Sequence, residues 1–166
     1  MTNLSKKKSC QFIVAVMTVV LLTLIDLFTK KQAVILLKSR PSFSVIPGVL
    51  EFCYLENYGA AWGMLRNFRW LFLLIVAVLL IAFPYLYAKI PDVKRYLCLK
   101  ILFLFFLAGA LGNGIDRLVY GYVRDFIYIS LIDFPVFNLA DCYVTVSMFL
   151  AMIIYRKEIK EWITSS

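Results

Sequence analysis

Long apolar runs separated by short polar ones dominate the chain. The first run is "QFIVAVMTVVLLTLIDLF", residues 11–28, behind the basic run Lys6-Lys7-Lys8. The second is "WLFLLIVAVLLIAFPYLYA", residues 70–88, free of charge and with Pro84 placed to kink it. The third is "LCLKILFLFFLAGALGNGI", residues 97–115, and the fourth covers residues 138–155. Each approaches the roughly 20 residues that a hydrocarbon core of about 30 Å demands. The pattern predicts an all-α membrane protein of four transmembrane helices, a single integral membrane domain over residues 1–166, with outer loops at 29–69 and 117–137.

Those outer loops are not polar linkers. "FSVIPGVLEFCYLENYGAAWGM", Phe43 to Met64, is apolar, with Pro47, Gly48 and Gly59 as turn signals. It predicts a small β-rich platform on the outer face, with Tyr58 and Trp62 near the headgroups. "YGYVRDFIYI" alternates strictly: Tyr120, Tyr122, Arg124, Phe126 and Tyr128 fall on one side of a strand. Gly121, Val123, Asp125, Ile127 and Ile129 fall on the other, so Asp125 has apolar neighbours on its face.

Composition agrees with the pattern. Hydrophobic residues make up 63% of the 166 residues and mean hydropathy is +0.85, well above the roughly 45–50% apolar content of soluble domains. The net charge of +8 does not point to nucleic acid, because the basic residues sit in short clusters between apolar runs. Lys6 to Lys8, the loop with Lys89, Lys94 and Arg95, and the tail with Arg156, Lys157 and Lys160 share one side, assigned to the cytoplasm. Both termini are then cytoplasmic. The bias is one of density, since the outer loops carry basic residues too. The first run has a basic start and an apolar middle, but Asp26 breaks its end and no A-x-A pattern follows, so it reads as a retained helix. The four cysteines show no CxxC spacing, and the absence of histidine removes Ser-His and Cys-His catalysis and His-based zinc sites. Acid–base chemistry is left to carboxylates, Lys, Tyr or Cys, and no metal or cofactor is expected.

Asp141, at the start of the fourth run, and Asp125, in the loop before it, both lie on the outer side near the bilayer surface. Two such carboxylates can share a proton, one taking a proton from water while the other donates to a carbonyl. The alternative is that Asp141 caps its helix and Asp125 is a solvated loop charge. Asn138 shares a helical face with Asp141; it orients a carboxylate or substrate carbonyl, or it is simply the N-cap. In "GALGNGIDR", Gly109 and Gly112 allow close approach of another helix or a substrate. There Asn113, Asp116 and Arg117 form one polar face, with Asp116 and Arg117 most simply in structural charge pairs. Asp26 and Lys30 are spaced i, i+4 with the acid first, the favourable order for a structural pair. Asn57, among small residues and glycines, marks a turn or a site of backbone approach. Cys142 adjoins Asp141 but points elsewhere on the helix.

"DLFTK", "NYGAAWG", "GALGNGIDR", "VRDF" and "FNLAD" occur in that order between residues 26 and 141. In this the chain resembles the lipoprotein signal peptidases, the type II signal peptidases of bacteria. The resemblance implies a four-helix aspartyl peptidase of the inner membrane, with its site at the outer face. It implies cleavage of prolipoproteins just before a cysteine carrying a diacylglyceryl group, and inhibition by globomycin-type cyclic peptides. Carried over by motif, it makes Asp125 and Asp141 the catalytic pair. It gives Asn57, Asn113, Arg117 and Asn138 roles in substrate contact or support of the site, and Asp26, Lys30 and Asp116 structural roles. Expected partners are lipid-modified prolipoproteins and membrane lipids, with no nucleic acid, and the expected state is a monomer. Arg124 stands at a place usually apolar in that family, and Tyr58 and Trp62 replace smaller or simpler residues, which bears on loop packing and substrate preference. The competing functions are a small transport or proton-relay protein, which predicts acids spread through the membrane depth, and a non-catalytic assembly factor, which has no need of both acids.

Overall fold

The computed structural model describes residues 3–59 and 68–156, with side chains from residue 8 onward. Trp62, Lys157 and Lys160 lie outside the described residues, so the expectation for Trp62 at the headgroups falls outside them as well. The described chain runs α1 (Asn3–Leu37), β1 (Phe43–Ile46), β2 (Leu50–Asn57), α2 (Arg69–Lys89), α3 (Leu97–Tyr120), β3 (Val123–Tyr128) and α4 (Leu139–Ile154). It is mostly helical, with one small sheet.

Among the described residues three helical segments are long and apolar enough to cross a membrane: Lys8–Leu37, Arg69–Lys89 and Lys94–Tyr120. The helix expected as a fourth span, Leu139–Ile154, has 16 residues, or about 24 Å at 1.5 Å per residue. That is shorter than a hydrocarbon core of about 30 Å.

α3 is the central helix, packed against α1, α2 and α4. Its N-terminal half meets α1 and α2 through Ala15, Val19, Phe83, Leu104, Leu107 and Ala108. The buried face of α1 can be followed turn by turn. Ala15, Val19, Thr23, Asp26, Lys30 and Ala33 recur at three- and four-residue intervals and are all buried, as a helical stripe requires. The stripe starts apolar at Ala15 and Val19, turns polar and charged from Thr23 to Lys30, and closes on Ala33. It also runs past residue 28, the expected end of the first span. Residues 29–37 contain neither Gly nor Pro, so nothing ends the helix there, and the outer loop begins at Lys38 instead of Thr29. The 30-residue apolar part of α1 is about 45 Å long, longer than a hydrocarbon core of about 30 Å, and its C-terminal part packs against β2 and β3.

The sheet is antiparallel, in the order β1-β2-β3. β2 and β3 pair with Leu55 opposite Asp125 and Asn57 opposite Val123. The strand expected from Tyr120 to Ile129 begins three residues later. Tyr120 is the last residue of α3, and Gly121 follows in the left-handed region at φ 84°, its N–H donating to Arg117 O. Glycine takes that conformation without a Cβ penalty and turns the chain out of the helix. Beyond β3, Phe137 exchanges backbone hydrogen bonds with Ile127: 2.8 Å from Ile127 N to Phe137 O and 2.9 Å from Phe137 N to Ile127 O. β3 is thereby tied to the residue just before the N-cap of α4.

Glycines set the helix spacing in the C-terminal half of α3. A Cβ at Gly109 would sit 2.5 Å from Ala140 O, and one at Gly112 would land on the Asp26 carboxylate. Only residues without a side chain let α3 approach both α4 and α1 this closely.

Candidate active site

Four elements bring the site together. β3 supplies Asp125, the start of α4 supplies Asn138 and Asp141, and the C-terminal part of α3 supplies Asn113 and Arg117. Asn57 arrives from the end of β2. A cavity of about 190 Å³ is lined by Asn57, Asn113, Arg117, Asp125 and Asp141, with Phe134 to Phe137 and Thr145 as its apolar and small walls. At about 30 Å³ per water, it has room for several waters or a short stretch of peptide backbone.

Asn138 serves both readings that its position left open. It is the N-cap of α4, accepting from Asp141 N at 3.1 Å, while Asp141 Oδ2 accepts from Asn138 N at 3.1 Å. This reciprocal pair is a capping box, here with Asp at the third position. The same side chain, fully buried, also donates from its amide nitrogen, Asn138 Nδ2 to Asp125 Oδ1 at 2.6 Å. The other Asp125 oxygen accepts from Asn57 Nδ2 at 2.9 Å. Asp141 Oδ1 accepts from Asn113 Nδ2 at 2.7 Å. Both carboxylates are thus held at both oxygens by N–H donors.

The orientation of each amide follows from its other end. Asn57 Oδ1 accepts from Gly59 N at 2.9 Å. Asn138 Oδ1 accepts from Asp141 N at 3.1 Å, and Asn113 Oδ1 accepts from Lys30 Nζ at 2.8 Å. Backbone N–H groups and an ammonium only donate. Each therefore claims an amide oxygen and leaves the amide nitrogen facing a carboxylate.

Asp125 is 1% exposed. Burial first, and the Asp141 charge second, push its carboxyl up to about 7, against the amide bonds from Asn57 and Asn138 and the charge of Lys30. Asp125 therefore does not occupy the position of a solvated loop charge.

Arg117 holds the rim of the cavity. Its Nη2 donates to Gly59 O at 2.9 Å and its Nη1 to Asn113 O at 3.3 Å, and its guanidinium lies 4.3 Å from the centre of the Phe72 ring. It joins the end of the sheet to α3 and to α2.

Behind the cavity lies a buried charge cluster, and here one expectation is corrected. Asp116 pairs not with Arg117 but with Arg124, whose Nη2 is 2.6 Å from Asp116 Oδ1 and whose Nε and backbone N donate to Oδ2 at 3.1 and 3.0 Å. Successive residues point about 100° apart around a helix, so Asp116 faces inward while Arg117 faces the cavity. The Arg124 departure is thus matched by an acid on α3. Asp26 and Lys30 form the expected i, i+4 pair at 2.8 Å, but both side chains are fully buried. Lys30 also stands 3.7 Å from Asp116 Oδ2. Asp26 Oδ1 accepts from Ala140 N at 2.9 Å, which ties α1 to the first turn of α4. Cys142 is a free, half-buried thiol outside the cavity lining.

Sequence reasoning did not find Phe137, whose backbone clamps β3 next to α4, nor the contact of Lys30 with Asn113. The first had a signal in its place directly before the N-cap. The second joins residues 83 apart in sequence, and spacing along one helix cannot reveal it.

The family described as Signal peptidase (SPase) II matches residues 18–156. The chain is 36% identical over 149 residues to a lipoprotein signal peptidase of Streptococcus agalactiae serotype Ia, covering 89% of this chain and 94% of the relative. It is 43% identical over 116 residues to that of Microcystis aeruginosa, covering 68% and 71%. It is 36% identical over 146 residues to that of Staphylococcus aureus strain JH9, covering 87% and 88%. A solved structure described as "Bacterial membrane enzyme structure by the in meso method at 2.3 A resolution" superposes with a TM-score of 0.78 at 35% identity, covering 89% of this chain and 90% of that one. The chain belongs to the signal peptidase II family, the membrane aspartic peptidases that remove signal peptides from prolipoproteins.

Proposed function

We propose that this peptidase cleaves diacylglyceryl-modified prolipoproteins just before the lipidated cysteine, with Asp125 and Asp141 as its catalytic pair. The observation that carries the reading is that these two acids, from separate elements, line one cavity and are each held by asparagine amides. Asp141 acts as the ionised member and takes a proton from the attacking water. Asp125, whose carboxyl keeps its proton to about 7, donates to the oxygen of the scissile carbonyl. Water oxygen adds to the carbonyl carbon and a tetrahedral diol forms. Its collapse breaks the C–N bond as a proton passes to the departing amine, and the pair returns to its starting state. No covalent intermediate is required.

Asn57, Asn113 and Asn138 hold the carboxylates, and Arg117 lies where a substrate backbone would enter. Membership of the family makes the chain a multi-pass protein of the bacterial inner membrane. In the proposed orientation both termini are cytoplasmic and the cavity lies at the outer face, the Lys89, Lys94 and Arg95 loop marking the opposite side. The substrate's acyl chains then stay in the bilayer while the scissile bond reaches the cavity laterally. Globomycin-type peptides would compete for the same cavity, and a monomer suffices, since one chain supplies both acids.

The test is cleavage of a diacylated precursor peptide by purified protein, wild type against Asp125→Asn and Asp141→Asn. Each substitution is expected to remove activity while the protein still inserts and folds, with losses beyond the roughly 10²–10⁴-fold of simple acid–base assistance. Near-normal turnover of either variant at matched protein level overturns the assignment.

A further inference from the structure

Resting on the dyad reading, we propose that Lys30 is a positioning residue of the active site, holding the Asn113 amide in the orientation that serves both carboxylates. Lys30 lies on α1, which contributes no residue to the cavity lining, and its i, i+4 partner gives it a sufficient structural role. Its geometry goes further.

The ammonium has three protons and three neighbours. Asp26 Oδ2 is at 2.8 Å and Asp116 Oδ2 at 3.7 Å. The third neighbour is no charge partner: Asn113 Oδ1 accepts at 2.8 Å. Charge balance does not call for this bond. Asp116 already has Arg124 on both oxygens, so the buried set of Asp26, Asp116, Lys30 and Arg124 is neutral without Asn113.

The bond has consequences on both sides of the dyad. With Oδ1 claimed by the ammonium, Asn113 Nδ2 faces Asp141 Oδ1 at 2.7 Å. The same Oδ1 accepts from Asn138 Nδ2 at 3.2 Å, and that nitrogen is the one that donates to Asp125 Oδ1 at 2.6 Å. One oxygen thus joins Lys30 to both acids. If the amide flipped, it would turn N–H groups toward Lys30 and the Asn138 amide, two donors, and its carbonyl toward the Asp141 carboxylate. Every one of those contacts is repulsive. A charge-assisted bond of this kind is stronger than a neutral one, so the ammonium dominates the choice. The first helix therefore acts on the chemistry through Asn113.

The experiment separates positioning from stability. Asp26→Asn removes the ion pair but keeps the ammonium; its amide oxygen accepts from Ala140 N while its NH2 faces Lys30, which leaves the ammonium Asn113 Oδ1 and Asp116 Oδ2 as acceptors. It is expected to keep kcat per folded molecule within a few-fold of wild type. Asp26→Asn with Lys30→Met replaces the pair by neutral side chains, a change that buried pairs often tolerate. It is expected to lose kcat on the order of 10²-fold, the scale of a misplaced reacting group, with KM little changed. In an Asn113→Ala background the same double substitution should cost nothing further, since residues that act as one unit are non-additive. Lys30→Met alone, assayed in lipid nanodiscs at low temperature, gives a second measure of the same loss should the double variant unfold in detergent.

Wild-type kcat in a folded Lys30→Met variant, or losses that multiply with Asn113→Ala, overturn the proposal. Asp125→Asn, run beside them, keeps the two ideas apart. If it stays active the dyad reading has failed. If it is inactive while Lys30→Met turns over normally, only the role of Lys30 has failed.

Discussion

Replacing Asp125 by Asn should remove a pH dependence of stability whose sign is opposite to that of an ordinary ion-paired acid. The folded protein holds the Asp125 proton to about 7, whereas the ordinary value is 3.8. Between those limits the folded state binds more protons than the unfolded state, so stability falls as pH rises. Roughly three pH units at 1.36 kcal/mol each give about 4 kcal/mol, absent below pH 4 and complete above about 7. For a chain of this length each kcal/mol moves the midpoint by about 2–4 °C, and about two of the three units lie above pH 5, so wild type should lose roughly 5–10 °C between pH 5 and pH 8 relative to the variant. The substituted amide cannot ionise, and the variant's curve should lack this component. That amide also turns one N–H group toward a donor, Asn57 Nδ2 or Asn138 Nδ2, at a pH-independent cost of about 1–3 kcal/mol. The variant should therefore be the less stable protein at pH 4 and the more stable one at pH 8, with the two curves crossing between. Thermal unfolding of both proteins in one detergent, followed by intrinsic fluorescence across that range, measures this. Parallel curves would show that Asp125 is ionised throughout, and the assignment of the shared proton to it would be wrong.

Other expectations follow from the same contacts. Asp26→Ala strands a fully buried Lys30 and should cost about 3–5 kcal/mol, the scale of a broken buried pair, read as a fall in thermal midpoint or yield; a fully stable but inactive variant would move Asp26 into the active site. Gly112→Ala drives a methyl group onto the Asp26 carboxylate and should cost about 1–3 kcal/mol as overpacking does, against little effect if α1 and α3 can separate freely. Arg124→Leu leaves Asp116 with its backbone donor and a Lys30 contact of 3.7 Å; the midpoint should fall while KM for a precursor peptide holds, and a large KM change with unchanged stability would instead put Arg124 in substrate binding. In a background lacking native cysteines, a cysteine at position 57 should label from outside the cell, and labelling only from the cytoplasm would reverse the orientation.

The helices were legible because their signals are local. Apolar runs near the length of a bilayer need no knowledge of what they pack against, and the acids at their edges stand out because such groups are costly there. Helix ends were less legible. α1 passes the charged residues Asp26 and Lys30 and continues to Leu37, since those charges are buried against α3 instead of facing water or lipid. A charge in a membrane helix therefore marks an end only when it is solvated, and solvation is a property of the packed molecule. The β3 strand shows the same limit. The strand forms over Val123–Tyr128, but Val123, Arg124 and Asp125 are all buried, so burial does not alternate, and Tyr120 and Tyr122 continue the sequence pattern into a helix end and a turn, because one glycine at positive φ outweighs periodicity.

The two acids stood out by type and place, but their supports were legible only in part. Asn57, Asn113 and Asn138 could be named as polar residues beside turns and glycines. Which way each amide faces depends on a third residue. Spacing does not reveal that the Gly59 N–H claims the Asn57 oxygen, nor that Lys30 claims the oxygen of Asn113. The pairing of Asp116 shows the same dependence. Sequence adjacency favours Arg117, whereas the helix turns that residue toward the cavity and leaves Asp116 to meet Arg124 across the junction with β3. Helical rotation is computable from sequence, but the element that will face a given side of the helix is not. The fold decides it through Gly109 and Gly112 of α3, which let α3 approach Ala140 and Asp26 closely enough for those two to meet. The chemistry of the pair is thus written in a few local motifs, while the proton state of the pair is set by contacts between α1, α3, β3 and α4 that only exist once those helices have closed.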